Sequence, residues 1–339
     1  MKAAVYKQPN EMAVIDVPRP VAGRGEVVLK VHACGICGSD LHAVQYGFGM
    51  PPGSVMGHEF CGEIVELGPE VGGYAIGDRV TSLPYIGCNT CELCAVGKGM
   101  HCENIRGLGL GQLPGAYAEY VMCGAKSLFK LPDNVDSRLG ALIEPLSVGL
   151  HGVNRSGLGP GAACVVMGGG PIGLATLLWC KAKGAATVIV SELAPGRSEL
   201  ARRLGATEVV NPAIKDPGER IREMTGRGPD LVFECIGVKA TLESAISMVA
   251  TLGRVVVLGV CMEPDEITPV RCIFKEITVS FVLGYNDAEF QETIDALSQG
   301  KIDPRPMVTD VIGVEQVPEM FAALRKPSGQ AKVIVEFPH

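Results

Sequence analysis

The sequence predicts an α/β fold in two parts. A doubly wound parallel sheet follows residue 161, and an all-β barrel or sandwich precedes it. Two patterns carry this. After Gly161, short apolar runs alternate with helical stretches, the signature of a parallel sheet covered on both faces. Across the first 150 residues, short β-branched runs are bounded by glycine and proline, and helix signals are scarce. A chain of 339 residues has room for both parts, each with its own core.

In the first part, strands are predicted in MKAAVY, in EVVLKVHACG from Glu26, in CGEIVELG from Cys61 and in GDRVTS from Gly77. Residues 144–153 can form a helix. In the second part, 163–167 is an apolar strand and 171–183 a helix carrying Leu174, Leu177 and Leu178. A strand at 187–190, a helix around 197–204 and a short strand at 208–210 follow. Asp216, Pro217 and Glu219 read as N-cap, first-turn proline and third-position acid of a helix reaching Thr225. Then come a strand at 230–234, a helix at 239–250, strands at 254–258 and 277–283, and a helix at 288–298. A strand at 331–336 closes the chain. The expected division is 1–150, 151–285 and 286–339, with the last segment long enough to return to the first domain.

Composition removes several classes. Apolar residues make up 47 % and charged residues 20 %, which excludes a disordered tail protein. Lys plus Arg total 30 against 37 Asp plus Glu, with no basic block, so no nucleic-acid partner is expected. One Trp, 7 Tyr and 9 Phe argue against an aromatic platform for sugars or bases. The start lacks an apolar signal core, and the expected location is the cytoplasm. Residues 156–180 carry no charge, yet their glycines fit a strand, a tight turn and a helix better than a membrane span. No membrane association is expected.

The cysteines are more informative. There are 13, an odd number without an export signal, so a disulfide framework is disfavoured. Cys88, Cys91, Cys94 and Cys102 lie within 15 residues of a polar, glycine-rich stretch. Four thiolates fill a tetrahedral zinc and leave no open position, so this zinc reads as structural. An iron–sulfur cluster has overlapping spacings and is the chemical alternative.

Gly168, Gly170 and Gly173 form G-x-G-x-x-G, with Pro171 and Ile172 inside it, between a predicted strand and a predicted helix. The first glycine permits the turn, the second admits a pyrophosphate, and the third lets helix and strand pack closely. Glu192 stands 24 residues after Gly168, where a carboxylate accepts the adenosine ribose hydroxyls and repels a 2′-phosphate. Arg197 is the next basic residue. The reading is NAD rather than NADP.

A second set is dispersed: Cys37 in CGICGSD, His58 and Glu59 in GHE, and Glu144 in IEP. One thiolate, one imidazole and one carboxylate with an open position is the composition of a catalytic zinc site. Spacing alone leaves Cys34 and Cys61 as substitutes for Cys37. Phe48, Met50 and Met56 are candidates for a pocket lining, and equally for core packing.

These segments together resemble the zinc-dependent medium-chain dehydrogenases. The likeness is carried by CGICGSDLH, GHEFCGEIVELG, GDRVT, the 88–102 cysteines, EPLSVGLHGV and GGGPIG, in that order along nearly the whole chain. It implies a GroES-like β-barrel catalytic domain, a Rossmann domain for NAD, two zincs per chain, and a homodimer or homotetramer. By resemblance, Cys37, His58 and Glu144 hold the catalytic zinc, and Glu59 coordinates it in some states or sits just behind it. Asp40 orients the histidine, and Ser39 and His42 relay the proton. Glutamate at 144, where liver- and yeast-type enzymes place cysteine, resembles the sorbitol and butanediol branch. The implied reaction is reversible, NAD-linked oxidation of a secondary alcohol, such as a diol, polyol or cyclic alcohol. Primary alcohol or aldehyde dehydrogenase and amino-alcohol dehydrogenase are alternatives on the same machinery. A zinc-stabilised nucleotide-binding protein without catalysis is the alternative of another class.

Overall fold

The computed structural model describes residues 1–326 and 329–338. In the second half, six strands form one parallel sheet. Across it lie Glu208–Val210, Thr187–Ser191, Ala163–Met167, Leu231–Glu234, Arg254–Val257 and Thr278–Phe281. The chain starts in the middle, winds outward to one edge, and returns to wind to the other. That reversal leaves a crevice beside the carboxyl end of Ala163–Met167, the place where such sheets bind ligands.

The local signals behave as their chemistry requires. The Asp216 side chain accepts from Glu219 N at 2.6 Å and caps the helix Pro217–Thr225. Helix Pro171–Ala182 opens directly after the glycine turn. The helix expected at 239–250 is shorter, Thr241–Met248, and the strand expected at 277–283 is Thr278–Phe281.

The first half is built on one long strand, Glu26–Gly35, which pairs antiparallel with Glu59–Leu67 on one side. Its other side is shared: residues Glu26 to Lys30 pair with Tyr120–Gly124, and Ala33 to Gly35 with the last strand, Lys332–Glu336. The tail therefore returns to the first half of the chain, where Val335 pairs with Cys34.

Two helices near the site differ from expectation. Gly38–Tyr46 is a helix where none was predicted, because its glycine and polar residues make almost no apolar stripe. The helix expected at 144–153 runs from Ser137 to Ser156, capped by Asp136, which accepts from Leu139 N at 2.9 Å. Pro145 lies inside it and masked its true length in the sequence. Buried on nearly every face, it joins the two halves through one core that runs from Ala33 and Cys61 to Val166 and Phe233. Among the described residues no helix is long and apolar enough to cross a membrane.

Candidate active site

Register brings the dispersed residues together. Gly35 pairs with Glu59, so the chain leaving one strand at Cys37 meets the chain entering its neighbour at His58. Donor atoms of Cys37, His58 and Glu59 lie within 4.8 Å of one another. Asp40, fully buried one turn into the new helix, organises this corner. Its Oδ1 accepts from His58 Nδ1 at 3.1 Å, and its Oδ2 accepts from Cys37 N at 3.0 Å and Tyr117 Oη at 2.6 Å. Burial alone would raise the Asp40 carboxyl, but His58, Tyr117 and the Cys37 amide outweigh it and hold it low. His58 Nε2 is thereby turned toward the open side, 3.3 Å from Ser39 Oγ. A histidine fixed through Nδ1 by a carboxylate, with Nε2 presented, is the arrangement of a metal ligand.

Glu59 is more constrained than the sequence suggested. Lys332 Nζ, on the tail strand, donates to Glu59 Oε1 at 2.7 Å, to Oε2 at 2.6 Å and to Ile36 O at 2.9 Å. Both side chains are sealed from solvent, at 1 % and 0 % exposure. A buried carboxylate needs such a partner.

Glu144 does not join the tight group of three, but it faces the same space. Tyr285 Oη donates to its Oε1 at 3.1 Å. Burial, and then the charge of Glu59, raise the Glu144 carboxyl to about 7, against the opposing effects of His58, Lys332 and Tyr285. This is an acid that a nearby cation would return to its carboxylate form. Ser39 and His42 share a face of the Gly38–Tyr46 helix at i and i+3, and partial burial lowers the His42 pKa. Met50 and Met56 are core residues, while Phe48 is exposed and stacks on Tyr46 with centroids 6.1 Å apart.

The four clustered sulfurs of Cys88, Cys91, Cys94 and Cys102 also converge within 4.8 Å. Thr90 donates to Cys88 Sγ from both its amide and its hydroxyl, at 3.5 and 3.4 Å, and lowers that thiol to about 6. Burial, with the neighbouring thiols, pushes Cys94 up to about 12. Converging thiols with opposed pKa shifts fit a divalent cation that would deprotonate all four. None of the 13 cysteines is in a disulfide.

At the nucleotide crevice Gly168 has φ +92°, and a Cβ on Gly173 would strike the Gly168 carbonyl oxygen. Both glycines are thus required by geometry. Glu192 closes the loop rather than standing free. It accepts from Gly169 N, Leu193 N and Ala194 N, each at 2.7 Å. Its lone pairs are not exhausted by three amides, so ribose hydroxyls still have an acceptor. Arg197 donates to Gln330 O at 2.8 Å, with its guanidinium beside Gly170.

Sequence reasoning missed Lys332, Tyr117 and Tyr285. Lys332 carried a signal, a lone lysine in the apolar run AKVIV, whereas the tyrosines carried none.

The comparisons agree with this fold. Residues 23–133 match the alcohol dehydrogenase GroES-like domain, and 171–299 match the zinc-binding dehydrogenase domain. Sorbitol dehydrogenase of Bacillus subtilis is 35 % identical over 99 % of this chain and 97 % of its own. An L-threonine 3-dehydrogenase of Pectobacterium carotovorum is 32 % identical over 99 % of each chain. The structure superposes on 2R,3R-butanediol dehydrogenase from Bacillus subtilis with TM-score 0.91, 35 % identity and 99 % coverage of both chains. A zinc-binding dehydrogenase from Sinorhizobium meliloti, bound to NADP, gives the same TM-score, identity and coverage. With a Rossmann sheet, a GroES-like barrel and two cysteine-containing clusters able to hold a metal all in place, the chain belongs to the zinc-dependent medium-chain dehydrogenases, in the sorbitol and butanediol dehydrogenase branch, as an oxidoreductase of the alcohol and polyol type with zinc and NAD as cofactors.

Proposed function

We propose that the enzyme oxidises a secondary alcohol bearing a neighbouring hydroxyl, a diol or polyol, reversibly to the ketone, with NAD preferred over NADP. The observation that carries this is the donor set: Cys37, His58 and a glutamate in place of a second cysteine. Glu144 is our third donor. Lys332 already engages both oxygens of Glu59 and neutralises it in place, whereas Glu144 keeps a raised pKa that a cation would relieve. Bound there, zinc supplies a Lewis acid that acidifies the alcohol, and NAD supplies the hydride acceptor. Asp40 holds His58 in the tautomer that presents Nε2. Ser39 takes up the substrate proton as its own hydroxyl proton leaves toward His42, which, with a pKa kept low by partial burial, passes it to solvent. The interdomain crevice excludes water and aligns the reacting carbons.

Glu192 supports NAD, because a 2′-phosphate would meet its charge. Arg197 beside the glycine loop, and the NADP held by the Sinorhizobium meliloti neighbour, favour NADP instead. The threonine dehydrogenase relative keeps an amino alcohol as the second substrate reading.

The remaining readings follow the same lines. We divide the chain at 150 and 285 into catalytic, NAD-binding and returning segments, and place the enzyme in the cytoplasm. A homodimer or homotetramer would pair the sheets along Thr278–Phe281, an edge strand with exposed Phe281, beside Leu283, Ile273 and Phe274. The test is an NAD-linked activity screen. Vicinal diols and polyols should exceed matched mono-alcohols by at least about tenfold in kcat/KM, since a site that pairs a second hydroxyl rejects substrates lacking it. A preference for ethanol or for threonine removes the substrate class.

A further inference from the structure

His151 and Asn154 lie in the EPLSVGLHGV stretch and just beyond it, and the proposed reaction uses neither. On the helix Ser137–Ser156 they share one stripe with Glu144 and Ser147, at steps of three, four and three residues. Every member of that stripe meets a polar group from residues 285–293. Tyr285 Oη donates to Glu144 Oε1 at 3.1 Å. The Ser147 hydroxyl lies 2.7 Å from Ile143 O and 3.1 Å from Thr293 Oγ1, and can give its proton to either. His151 Nδ1 donates to Glu289 Oε2 at 2.8 Å, and Asn154 Nδ2 donates to Glu289 Oε1 at 3.0 Å.

Glu289 is the hub of this seam. Its buried carboxylate also accepts from Asn286 N at 3.0 Å, while Asn286 Oδ1 accepts from Glu289 N at 2.9 Å and caps the helix Asp287–Ser298. Asn286 is the chain neighbour of Tyr285. A closed circuit results: from Glu144 to His151 along one helix, across to Glu289, back to Asn286, and through one peptide bond to Tyr285 and Glu144. Burying a carboxylate is costly, and three donors compensate it here. Apolar packing could hold the two helices together as firmly, and Tyr285 does rest on Phe290 with ring centroids 5.3 Å apart. Such contacts have little directional preference. Hydrogen bonds admit one rotation and one register, because they weaken steeply with angle.

We infer that Glu289 is a positioning residue which, clamped by His151 and Asn154, fixes the turn at Asn286 and so holds Tyr285 against Glu144. The inference rests on the reading of Glu144 as a zinc donor and deepens it, by naming what sets that donor's direction.

Zinc release from the zinc-loaded enzyme to 4-(2-pyridylazo)resorcinol tests this, with the phase missing from Cys37→Ser marking the catalytic ion. Release in that phase should quicken about tenfold or more in Glu289→Ala and in Tyr285→Phe, with the four-cysteine zinc unaffected. Glu289→Gln should stay within about threefold of the parent, because its amide can still bond Asn286 N, Asn154 after a side-chain flip, and His151 in its other tautomer. Combining Glu289→Ala with Tyr285→Phe should add nothing to the faster single variant, since both act through one contact. Should Glu289→Ala fail to fold, His151→Ala, which leaves two donors on the carboxylate, decides in its place, with a smaller quickening expected. Parental release in the folded Glu289→Ala or His151→Ala variant, or effects that multiply in the combined variant, alongside fast release in Glu144→Gln, overturns the positioning inference alone. Parental release in Glu144→Gln instead overturns the reading of Glu144 as a donor.

Discussion

The two cysteine-bearing sites are built by opposite strategies. The 88–102 lobe draws four like ligands from one short, polar loop and asks little of the rest of the fold. The proposed catalytic corner draws Cys37 from the end of one strand, His58 from the start of its neighbour, and Glu144 from a helix that also packs on the nucleotide domain. It then uses the tail strand to supply Lys332. A local site can be assembled early and act as a staple. A dispersed site forms only once both halves and the tail are in place, which leaves its proposed donors mixed in type and unequal in charge.

If that contrast holds, ligand substitutions at the two sites should fail differently. Cys94→Ser should have the largest effect on the folded state, since structural zinc contributes on the order of 10 kcal/mol of binding free energy to such sites. The expected outcome is loss of soluble protein or a collapse in thermal midpoint, measured by calorimetry. A visible iron–sulfur absorption in the parent would instead assign these cysteines to a cluster.

Cys37→Ser or His58→Ala should leave a folded chain that binds NAD, with turnover reduced by about a thousandfold or more, roughly 4 kcal/mol of transition-state stabilisation. Metal analysis should then give one zinc per chain in place of two. A variant that unfolds here would erase the distinction between the sites.

Lys332→Met sharpens it further by leaving Glu59 buried and unpaired, at an expected cost of about 3–5 kcal/mol by denaturant unfolding. Restoring that loss with Lys332→Met combined with Glu59→Gln would show that the lysine serves the carboxylate. A cost below about 1 kcal/mol would make the pair dispensable.

The legibility of the two sites follows from the same difference. The lobe was readable outright, because its ligands share one loop and one element type. The nucleotide turn was nearly as readable: a strand, the 168–173 glycines and a helix occur in sequence order. Glu192 stands beside the glycine turn, but its bonds to Gly169, Leu193 and Ala194 could not be foreseen, because they depend on how the loop folds back. For the catalytic corner, the residue types were visible while their association came from family likeness. Strand register places His58 beside Cys37, and register is written across many residues rather than in a motif. The Gly38–Tyr46 helix was overlooked for a related reason, since it is held by Asp40 and its neighbours rather than by an apolar stripe.

The smallest expected effect concerns the cofactor. Glu192→Ala should shift the NAD-to-NADP ratio of kcat/KM by more than about tenfold, near 1.4 kcal/mol. Part of the shift will reflect the released loop amides, so NAD affinity itself should also fall. A parent enzyme that already favours NADP would assign the pocket to Arg197 rather than to Glu192.

The most direct test of the two-strategy account is an anomalous-difference map at the zinc edge from crystals grown with NAD. Two peaks per chain are predicted, one enclosed by Cys88, Cys91, Cys94 and Cys102, the other in contact with Cys37, His58 and Glu144, with Glu59 still on Lys332. A single peak, or a second peak ligated by Cys34 or Cys61 in place of these residues, would contradict it.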